Sequence, residues 1–419
     1  MSQETVYSNF RWYILFTMII VTATTAIGLI GPAPLTGEIM KTMPNLTAGQ
    51  VTLMTMSSFN LFVAISALLG GIILDKFGVV KVYIGGLILV AAGSLLMPVC
   101  GDSVWGMLFN RMLQGLGTGP IMASSPSLAA SYFPHKERGI AAGFQGFSMA
   151  FGIVIGLSII PRLAVSFADW QKALLMIGPM AIVGIILAII IAFGPKPVQE
   201  DTQKTQAEAD AHVAHHFKKA LGFHVTWIVI AAYFLMSWIF QAFNDVVPGY
   251  IAVDASKGLG SLGLGAVKGG DYLVLAQVFF MIGAIAGGVI TDKVFKGNGR
   301  PIMAAGFLGG AIFSYLITSS GVTSAAGSLV FCLTCCGFFY SFVNPQCVGY
   351  IAKNYPKEIT GKLGGLATGL SILGGWLGAT VGGLAIHYSG YPMSIMILTA
   401  LCFVGFIVAL FMRPKKEGE

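Results

Sequence analysis

Charged residues are scarce in this chain, because Asp, Glu, Lys and Arg together make up only 10% of its 419 residues. A soluble domain carries roughly 25% charged residues. Hydrophobic residues reach 56%, and the mean hydropathy is +0.82. This composition excludes a normal water-facing surface and predicts a protein embedded in a membrane.

Signatures of enzymatic and nucleotide chemistry are also missing. The sequence has no Gly-x-x-x-x-Gly-Lys-Ser/Thr loop, no HExxH-type zinc motif, no catalytic triad and no paired carboxylates within an apolar segment. We therefore expect that the chain is not an enzyme and has no catalytic residues, no metal site, no cofactor and no ATP drive. A sensor is disfavoured, because the linker and tails are too short for an added soluble domain.

The six cysteines provide no framework for disulfides or for a metal. Three of them form Cys332-x-x-Cys335-Cys336, whose neighbours are Phe, Leu, Thr and Gly rather than acidic residues or His. Free cysteine in an apolar setting behaves as a small hydrophobic residue. We interpret these residues as packing thiols.

Twelve apolar segments are long enough to cross a membrane as helices, which takes about 20 residues each. They are 12–34, 51–74, 79–99, 103–131, 139–161, 173–194, 223–252, 272–291, 301–319, 322–351, 361–386 and 391–412. The fold class predicted from them is an all-α membrane protein with twelve transmembrane helices. Because proline breaks or kinks helices, we expect breaks at Pro32 and Pro34 in the first segment and at Asn344-Pro345 in the tenth.

One short pattern occurs twice, about half a chain apart. Gly71-Ile-Ile-Leu-Asp75-Lys76 closes one apolar segment, and Gly288-Val-Ile-Thr-Asp292-Lys293 closes another. The interval from Pro134 to Gly139 also recurs, between Pro356 and Gly361, after nearly the same shift along the chain. Internal repeats of this kind are typical of secondary transporters.

The repeat predicts two pseudo-symmetric six-helix bundles. The expected domains are 1–194 and 222–419, and a polar linker at 195–221 separates them. With the N-terminus placed inside, 18 Lys and Arg residues fall on the cytoplasmic side and five outside. This bias predicts a cytoplasmic (inner) membrane protein with both termini in the cytoplasm. The net charge of +7 then faces membrane lipid rather than nucleic acid, and we expect a monomer.

These motifs resemble those of the major facilitator superfamily. The loop between its second and third helices is similar to Gly71-x-x-x-Asp75-Lys76-x-Gly78, although Val79 and Val80 stand where the family usually has basic residues. Its fourth-helix motif is similar to Arg111-Met-Leu-Gln114-Gly115-Leu-Gly117-Thr-Gly119. The resemblance implies a transporter that works by alternating access, and it places Arg111 in the region that couples to protons or substrate.

The recurring loop motif suggests a gating latch. A carboxylate at the end of a span can meet a helix N-terminus or a basic side chain of the adjacent loop, and a glycine lets a neighbouring helix approach closely. The alternative is a structural contact without a gating role. The candidate gating residues are Gly71, Asp75, Lys76, Gly288, Asp292 and Lys293.

Arg111 is the one Lys or Arg well inside an apolar segment. A guanidinium there is costly, so we expect it to face the interior and to have a partner. It either binds an anion or a coupling group, or it donates structural hydrogen bonds to a broken first helix. Asp245 is a candidate proton carrier or, alternatively, a solvated charge at a helix end. The candidate substrate and coupling residues are Arg111, Gln114, Gln145, Gln241, Asn244, Asp245, Tyr340 and Asn344.

The charge pattern favours a small, carboxylate-like organic anion as the substrate, carried together with a proton. An intramembrane arginine and few acidic residues within the spans support this interpretation. The alternative is an exporter of amphiphilic or drug-like compounds by proton antiport, which the aromatic residues of the seventh and tenth segments favour. Drug antiporters of the superfamily usually carry a Gly-Pro pair in the fifth helix, and none occurs between Gly152 and Pro161.

Overall fold

The structure, a computed structural model, describes residues 9–134, 138–195, 216–254 and 262–412. The regular elements in these ranges are all helices. The twelve long ones are α1 Phe10–Ile30, α2 Ser58–Phe77, α3 Val79–Leu95, α4 Val104–Tyr132, α5 Arg138–Phe167, α6 Ile177–Phe193, α7 His224–Ala252, α8 Gly265–Lys293, α9 Arg300–Leu316, α10 Ala326–Tyr340, α11 Lys357–Ser389 and α12 Tyr391–Leu410. Nine helical segments of the described part are long and apolar enough to cross a membrane, and α3, α4 and α9 complete the set. The predicted all-α, twelve-helix fold is confirmed.

Two spans are broken close to their prolines. After α1, a 3-10 turn at Ala33–Leu35 leads into a short helix at Thr36–Thr42. After α10, the chain resumes as a helix at Val343–Asn354. The second break lies just before Asn344-Pro345, because the first residues of a helix have no intrahelical acceptor for their N–H groups and so tolerate proline.

A third irregularity has no proline. The helix that begins at Ala48–Thr52 passes through a π-helical turn at Leu53–Ser57 before α2. In this turn the Ser58 amide donates to the Leu53 carbonyl, one position further back than in a regular α-helix. This turn was not predicted from the sequence. π turns occur mostly as single turns inside α-helices, often at functional sites.

The helices group into two units, one within Met1–Asp201 with Gly265–Gly270, and the other within Thr202–Leu264 and Asp271–Glu419. In the first unit α1 packs on α5, and α3 packs on both α4 and α6. In the second unit α7 packs on α11, and α9 packs on both α10 and α12. Each pairing therefore recurs six helices later, as a repeat requires. Most of the predicted linker at 195–221 lies outside the described residues.

Glycines carry the repeat into the helix contacts. A Cβ on Gly152 of α5 would lie 2.5 Å from the Ala23 carbonyl oxygen of α1. In the second unit, a Cβ on Gly378 of α11 would lie 2.5 Å from the Trp238 carbonyl oxygen of α7. The shift that relates Pro134 to Pro356 relates Gly152 to Gly374, which also lies against α7. These contacts leave no room for a side chain, so the helices pack backbone to backbone.

Candidate substrate and coupling site

The fourth-helix motif brings α4 against α2. A Cβ on Gly115 would lie 2.6 Å from the Phe59 carbonyl oxygen, and one on Gly119 would lie 2.5 Å from the Val63 carbonyl oxygen. The Ser66 hydroxyl donates back to the Gly115 carbonyl at 3.2 Å. This close approach positions Arg111, one turn earlier on α4, within reach of the backbone at the end of α1 and just before α2.

Arg111 is fully buried, with no exposed surface. Its Nε donates to the Thr55 carbonyl at 2.6 Å, inside the π-helical turn. Its Nη1 donates to the Gly28 carbonyl at 2.8 Å, and its Nη2 donates to the Leu29 carbonyl at 3.4 Å, both at the end of α1. The guanidinium thus joins three spans at the points where two of them depart from regular α-helix.

Two further contacts stabilise this guanidinium. Its Nη1 also donates to Gln114 Oε1 at 2.6 Å, and Gln114 Nε2 donates in turn to the Ser94 hydroxyl of α3 at 3.0 Å. The guanidinium carbon lies 4.3 Å from the centre of the Phe59 ring, a favourable cation–π distance. Arg111 therefore faces the interior and donates to backbone carbonyls, the structural alternative raised by the sequence. In this conformation hydrogen bonds within the protein already occupy all three of its nitrogens.

In the second unit, the predicted residues of α7 lie in a buried amide cluster. Gln241 Nε2 donates to Asp245 Oδ1 at 2.9 Å. Asn244 Nδ2 donates to the Phe240 carbonyl at 2.8 Å, and Asn244 Oδ1 accepts from Gln277 Nε2 of α8 at 2.6 Å. Asp245 is only 1% exposed, so it is an interior carboxyl and not a solvated charge at a helix end.

Two features leave acceptors available in this cluster. Pro248 lies inside α7 and has no N–H, so it cannot donate to the Asn244 carbonyl one turn earlier. Gln277 Oε1 is buried without a hydrogen-bond partner among the described residues. A ligand hydroxyl or a protonated carboxyl is the kind of donor that such oxygens accept.

Among the described residues, the structure gives no hydrogen bond between that cluster and Tyr340 or Asn344. The Tyr340 hydroxyl is hydrogen-bonded to the Ser314 hydroxyl of α9, and its ring meets Phe243 edge to face at 5.3 Å. Asn344 Oδ1 is buried without a hydrogen-bond partner in the described part of the chain. The side chain of Gln145 lies outside the described residues.

The second copy of the loop motif contains an ion pair. Asp292, at the end of α8, accepts from Lys353 Nζ at 2.9 Å. Both side chains are exposed, at 66% and 56%, and they line a cleft of about 220 Å³. Lys293 next to them is also exposed. In the first copy, Lys76 lies over the Phe77 ring at 5.4 Å, whereas the surroundings of Gly71 and the side chain of Asp75 fall outside what the structure describes.

The prediction that Gly288 permits close helix packing is wrong. A Cβ on Gly288 would meet no atom within 4 Å, because this residue lines the open cleft. The close contacts of α8 are made by its neighbours on another face. A Cβ on Gly287 would lie 3.0 Å from the Phe342 ring, and one on Gly283 would lie 2.5 Å from the Phe338 carbonyl oxygen.

The structure therefore brings Arg111 together with Gln114, and Gln241 with Asp245. Gln277 was not among the residues predicted from the sequence. The repeat could have indicated Gln277, because Asn60 and Gln277 are separated by the same number of residues as Asp75 and Asp292. Gln277 is therefore the counterpart of a polar residue in the first half. For Arg111, the predicted break in the first helix pointed to the Gly28 and Leu29 carbonyls as partners. The Thr55 carbonyl had no such signal, since the π-helical turn around it contains no proline or glycine.

Comparisons with known proteins agree with this architecture. The sequence model of the Major Facilitator Superfamily matches residues 10–325 and 261–419. The crystal structure of a D-xylose-proton symporter superposes with a TM-score of 0.76 at 17% identity, covering 98% of this chain and 100% of that chain. This likeness concerns the fold.

Named relatives match over most of their length. The probable sulfoacetate transporter SauU of Cupriavidus necator is 26% identical over 92% of this chain and 91% of its own. The hexuronate transporter of Bacillus subtilis is 23% identical over 88% and 87%. The cis,cis-muconate transport protein of Acinetobacter baylyi is 24% identical over 84% and 83%. With the family model matched along nearly the whole chain and the twelve-helix fold in place, the chain belongs to the Major Facilitator Superfamily.

Proposed function

We propose that this chain is a secondary active transporter of small, carboxylate-like organic anions. Family membership and the transporter names of its relatives make it a multi-pass membrane transporter of a small molecule rather than an enzyme. The named substrates of three relatives are sulfoacetate, hexuronate and cis,cis-muconate. These compounds differ in size and hydroxylation, and they share negative charge.

The observation that carries the proposal within the molecule is the buried guanidinium. Arg111 is the one buried Lys or Arg in the described part of the chain. Arginine is suited to bidentate recognition of carboxylates because its donors form a planar fork. We assign Arg111 as the group that attracts the anion, whose oxygens take over hydrogen bonds now made by the Gly28, Leu29 and Thr55 carbonyls.

Proton symport is the proposed energy source, with Asp245 as the proton carrier. It is the one buried carboxyl among the described residues. Ionisable residues inside membrane spans are typical of proton relays. Gln241 donates to one oxygen of this carboxyl at 2.9 Å, a contact compatible with either protonation state of the other oxygen.

Alternating access is the proposed transport cycle. The halves 1–194 and 222–419 would move as bundles joined by the linker 195–221. The Asp292–Lys353 pair would act as a cytoplasmic latch within the second half, between α8 and the helix Val343–Asn354. The Lys and Arg bias of the loops supports a cytoplasmic membrane location with both termini inside. We further propose a monomer that contacts membrane lipid and has no nucleic-acid partner.

The aromatic residues offer less support for an exporter of amphiphilic compounds. In α10 and its continuation, Phe338, Phe339 and Phe342 contact one another at centroid distances of 4.9 to 5.7 Å. Phe339 also stacks on Phe313 of α9 at 5.8 Å. Rings that pack together in this way fill the space between helices.

Uptake into proteoliposomes tests the proposal. The purified chain is reconstituted, and accumulation of radiolabelled glucuronate, muconate and sulfoacetate is measured with and without an inward proton gradient. We expect at least one anion to accumulate only with the gradient, and a protonophore to abolish the accumulation. Transport of cationic dyes without transport of any anion would favour the exporter.

A further inference from the structure

The π-helical turn at Leu53–Ser57 is bonded to Arg111 at its centre. The Ser58 hydroxyl donates to the Met54 carbonyl, Arg111 Nε donates to the Thr55 carbonyl, and Asn60 Nδ2 donates to the Met56 carbonyl at 3.0 Å. Three successive carbonyls thus each accept from a side chain, which supplements the backbone ladder at the turn. Of these three bonds, the one from Arg111 comes from another helix.

The second half of the chain serves as an internal control. The shift that relates Asp75 to Asp292 places 270–274 at the position of the π turn, and α8 passes through these residues as regular α-helix. The shift that relates Pro134 to Pro356 places Leu333 at the position of Arg111, and Leu333 is fully buried. The half that has Leu333 in place of the guanidinium thus also has regular α-helix in place of the π turn.

Space for rearrangement lies beside the turn. An apolar cavity of about 280 Å³ is lined by residues of the turn, of the segment before it and of the start of α4, namely Leu46, Gln50, Leu53, Met54, Val104 and Leu108. Two of its lining residues, Leu53 and Met54, belong to the turn itself. Both side chains therefore border unfilled space.

We propose that the π turn is a two-state element that the transported anion switches through Arg111. The inference rests on the proposed function, because it needs an anion that binds this guanidinium. When the anion takes the Arg111 donors, the Thr55 carbonyl loses its bond from α4 and the turn relaxes to regular α-helix. A π turn accommodates one residue more than an α-helical turn, so winding the same residues as α-helix rotates Ala48–Thr52 by about 100° relative to α2. Occupancy at Arg111 therefore changes the outer part of this span.

Methionine methyl NMR provides a direct readout, since Met54 and Met56 lie within the turn. The full-length chain in nanodiscs is labelled at methionine methyl groups, and each signal is assigned by Met→Leu substitution. Glucuronate, muconate and sulfoacetate are the titrated ligands, and thermal shift reports their binding independently. Met303, in α9 of the second unit, serves as the reference signal.

We expect a bound anion to move the Met54 and Met56 signals to new positions while Met303 stays in place. Deletion of Met54 removes the extra residue, so the Met56 signal of this variant should match the anion-bound position without ligand. Arg111→Gln should give the same Met56 position and no further response to anion. Arg162→Gln, which changes an exposed arginine bonded to Ser158, should leave both turn signals at the anion-free position.

The outcomes separate the switch from the function. If an anion binds and the Met54 and Met56 signals of the wild-type chain stay in place, the switch is overturned while anion transport stands. If no tested anion binds, the proposed function fails, and the anion-driven switch fails with it. The wild-type titration decides the matter even if Arg111→Gln or the deletion does not fold.

Discussion

Arg111→Leu is the substitution that tests the site most directly. It removes a side chain with no exposed surface and four hydrogen bonds, with donor–acceptor distances of 2.6, 2.8, 2.6 and 3.4 Å. Leucine fills part of the volume but leaves the Thr55, Gly28 and Leu29 carbonyls without these donors. The variant should therefore lose stability as well as transport.

The magnitude follows from measured side-chain hydrogen bonds in membrane proteins, which average about 0.6 kcal/mol and reach about 1.7 kcal/mol. Four bonds at the average value give a loss of about 2–3 kcal/mol. For a unit of this size, each kcal/mol lowers the melting temperature by about 2–4 °C, so we expect a decrease of about 5–10 °C. The melting temperature of Arg111→Lys should lie between those of the wild-type chain and Arg111→Leu, because one ammonium cannot reach the carbonyls of both α1 and the π turn.

Two probes follow the melting of the two units. Tryptophan fluorescence reports on the first unit through Trp170, which is 5% exposed, once the other tryptophans are replaced by phenylalanine in both the wild-type and the variant background. In a background with Cys100 replaced by serine, a thiol-reactive dye reports on the second unit through its buried free cysteines, Cys332, Cys336, Cys347 and Cys402. Arg162→Leu is the matched control, since surface changes usually stay within about 0.5 kcal/mol. If Arg111→Leu melts within about 1 °C of the wild-type chain, the carbonyl bonds contribute nothing and the reasoning is refuted.

Three further substitutions test the remaining assignments. Asp292→Asn breaks the exposed pair with Lys353, so stability should change by less than about 1 kcal/mol, while the transport rate should fall more than substrate affinity; equal losses of both would argue against a latch. Asp245→Asn preserves the side-chain shape, but asparagine cannot carry a proton. We expect proton-driven accumulation to disappear while exchange of labelled for unlabelled anion continues. Retained accumulation would exclude Asp245 from coupling. Gly119→Ala forces a methyl group against α2 and should lower the free energy of unfolding by about 1–3 kcal/mol, followed as the monodisperse fraction after heating. Gly288→Ala, whose methyl group would face open space, is the control and should leave that fraction unchanged.

Membrane burial explains why the fold could be predicted so far from sequence. In lipid, the backbone N–H and C=O groups of each span must form hydrogen bonds within the span itself, so an apolar segment of sufficient length must be a helix. Prolines then located the breaks after α1 and after α10, because a missing N–H acts locally. These features depend on composition and on single residues, both of which are readable in one sequence.

The parts of the site that could not be predicted from the sequence are those that depend on backbone conformation. The π turn at Leu53–Ser57 contains no proline or glycine, and it is supported from α4, by a residue distant from Thr55 in the chain. A long-range bond of this kind has no local pattern. The error at Gly288 has a similar origin, because the motif identifies a glycine but not the helix face that meets a neighbour, and in α8 that face carries Gly283 and Gly287.

The repeat preserves helix packing more closely than polar chemistry. Gly115 is related to Gly337 by the shift from Pro134 to Pro356, and their backbone contacts, Phe59 and Ala276, are related by the shift from Asp75 to Asp292. At these positions a side chain would collide with backbone, so the residue cannot change without separating the helices. No such restriction applies to a polar side chain one turn away, and Arg111 is accordingly matched by Leu333.

The buried carboxyl of Asp245 also lies at a position where the two halves differ, but here the polar residue belongs to the second half. Gly152 contacts Ala23 of α1 and its repeat partner Gly374 contacts Phe234 of α7, and the shift from Ala23 to Phe234 places Pro34 at the position of Asp245. Proline ends regular helix in the first half, whereas the second half continues α7 past Asp245 and buries it. One half thus acquired the interior cation and the other the interior carboxyl on equivalent scaffolds. The proposed symport of an anion with a proton would use both groups, and divergence at polar positions within a shared packing provides them without a change of fold.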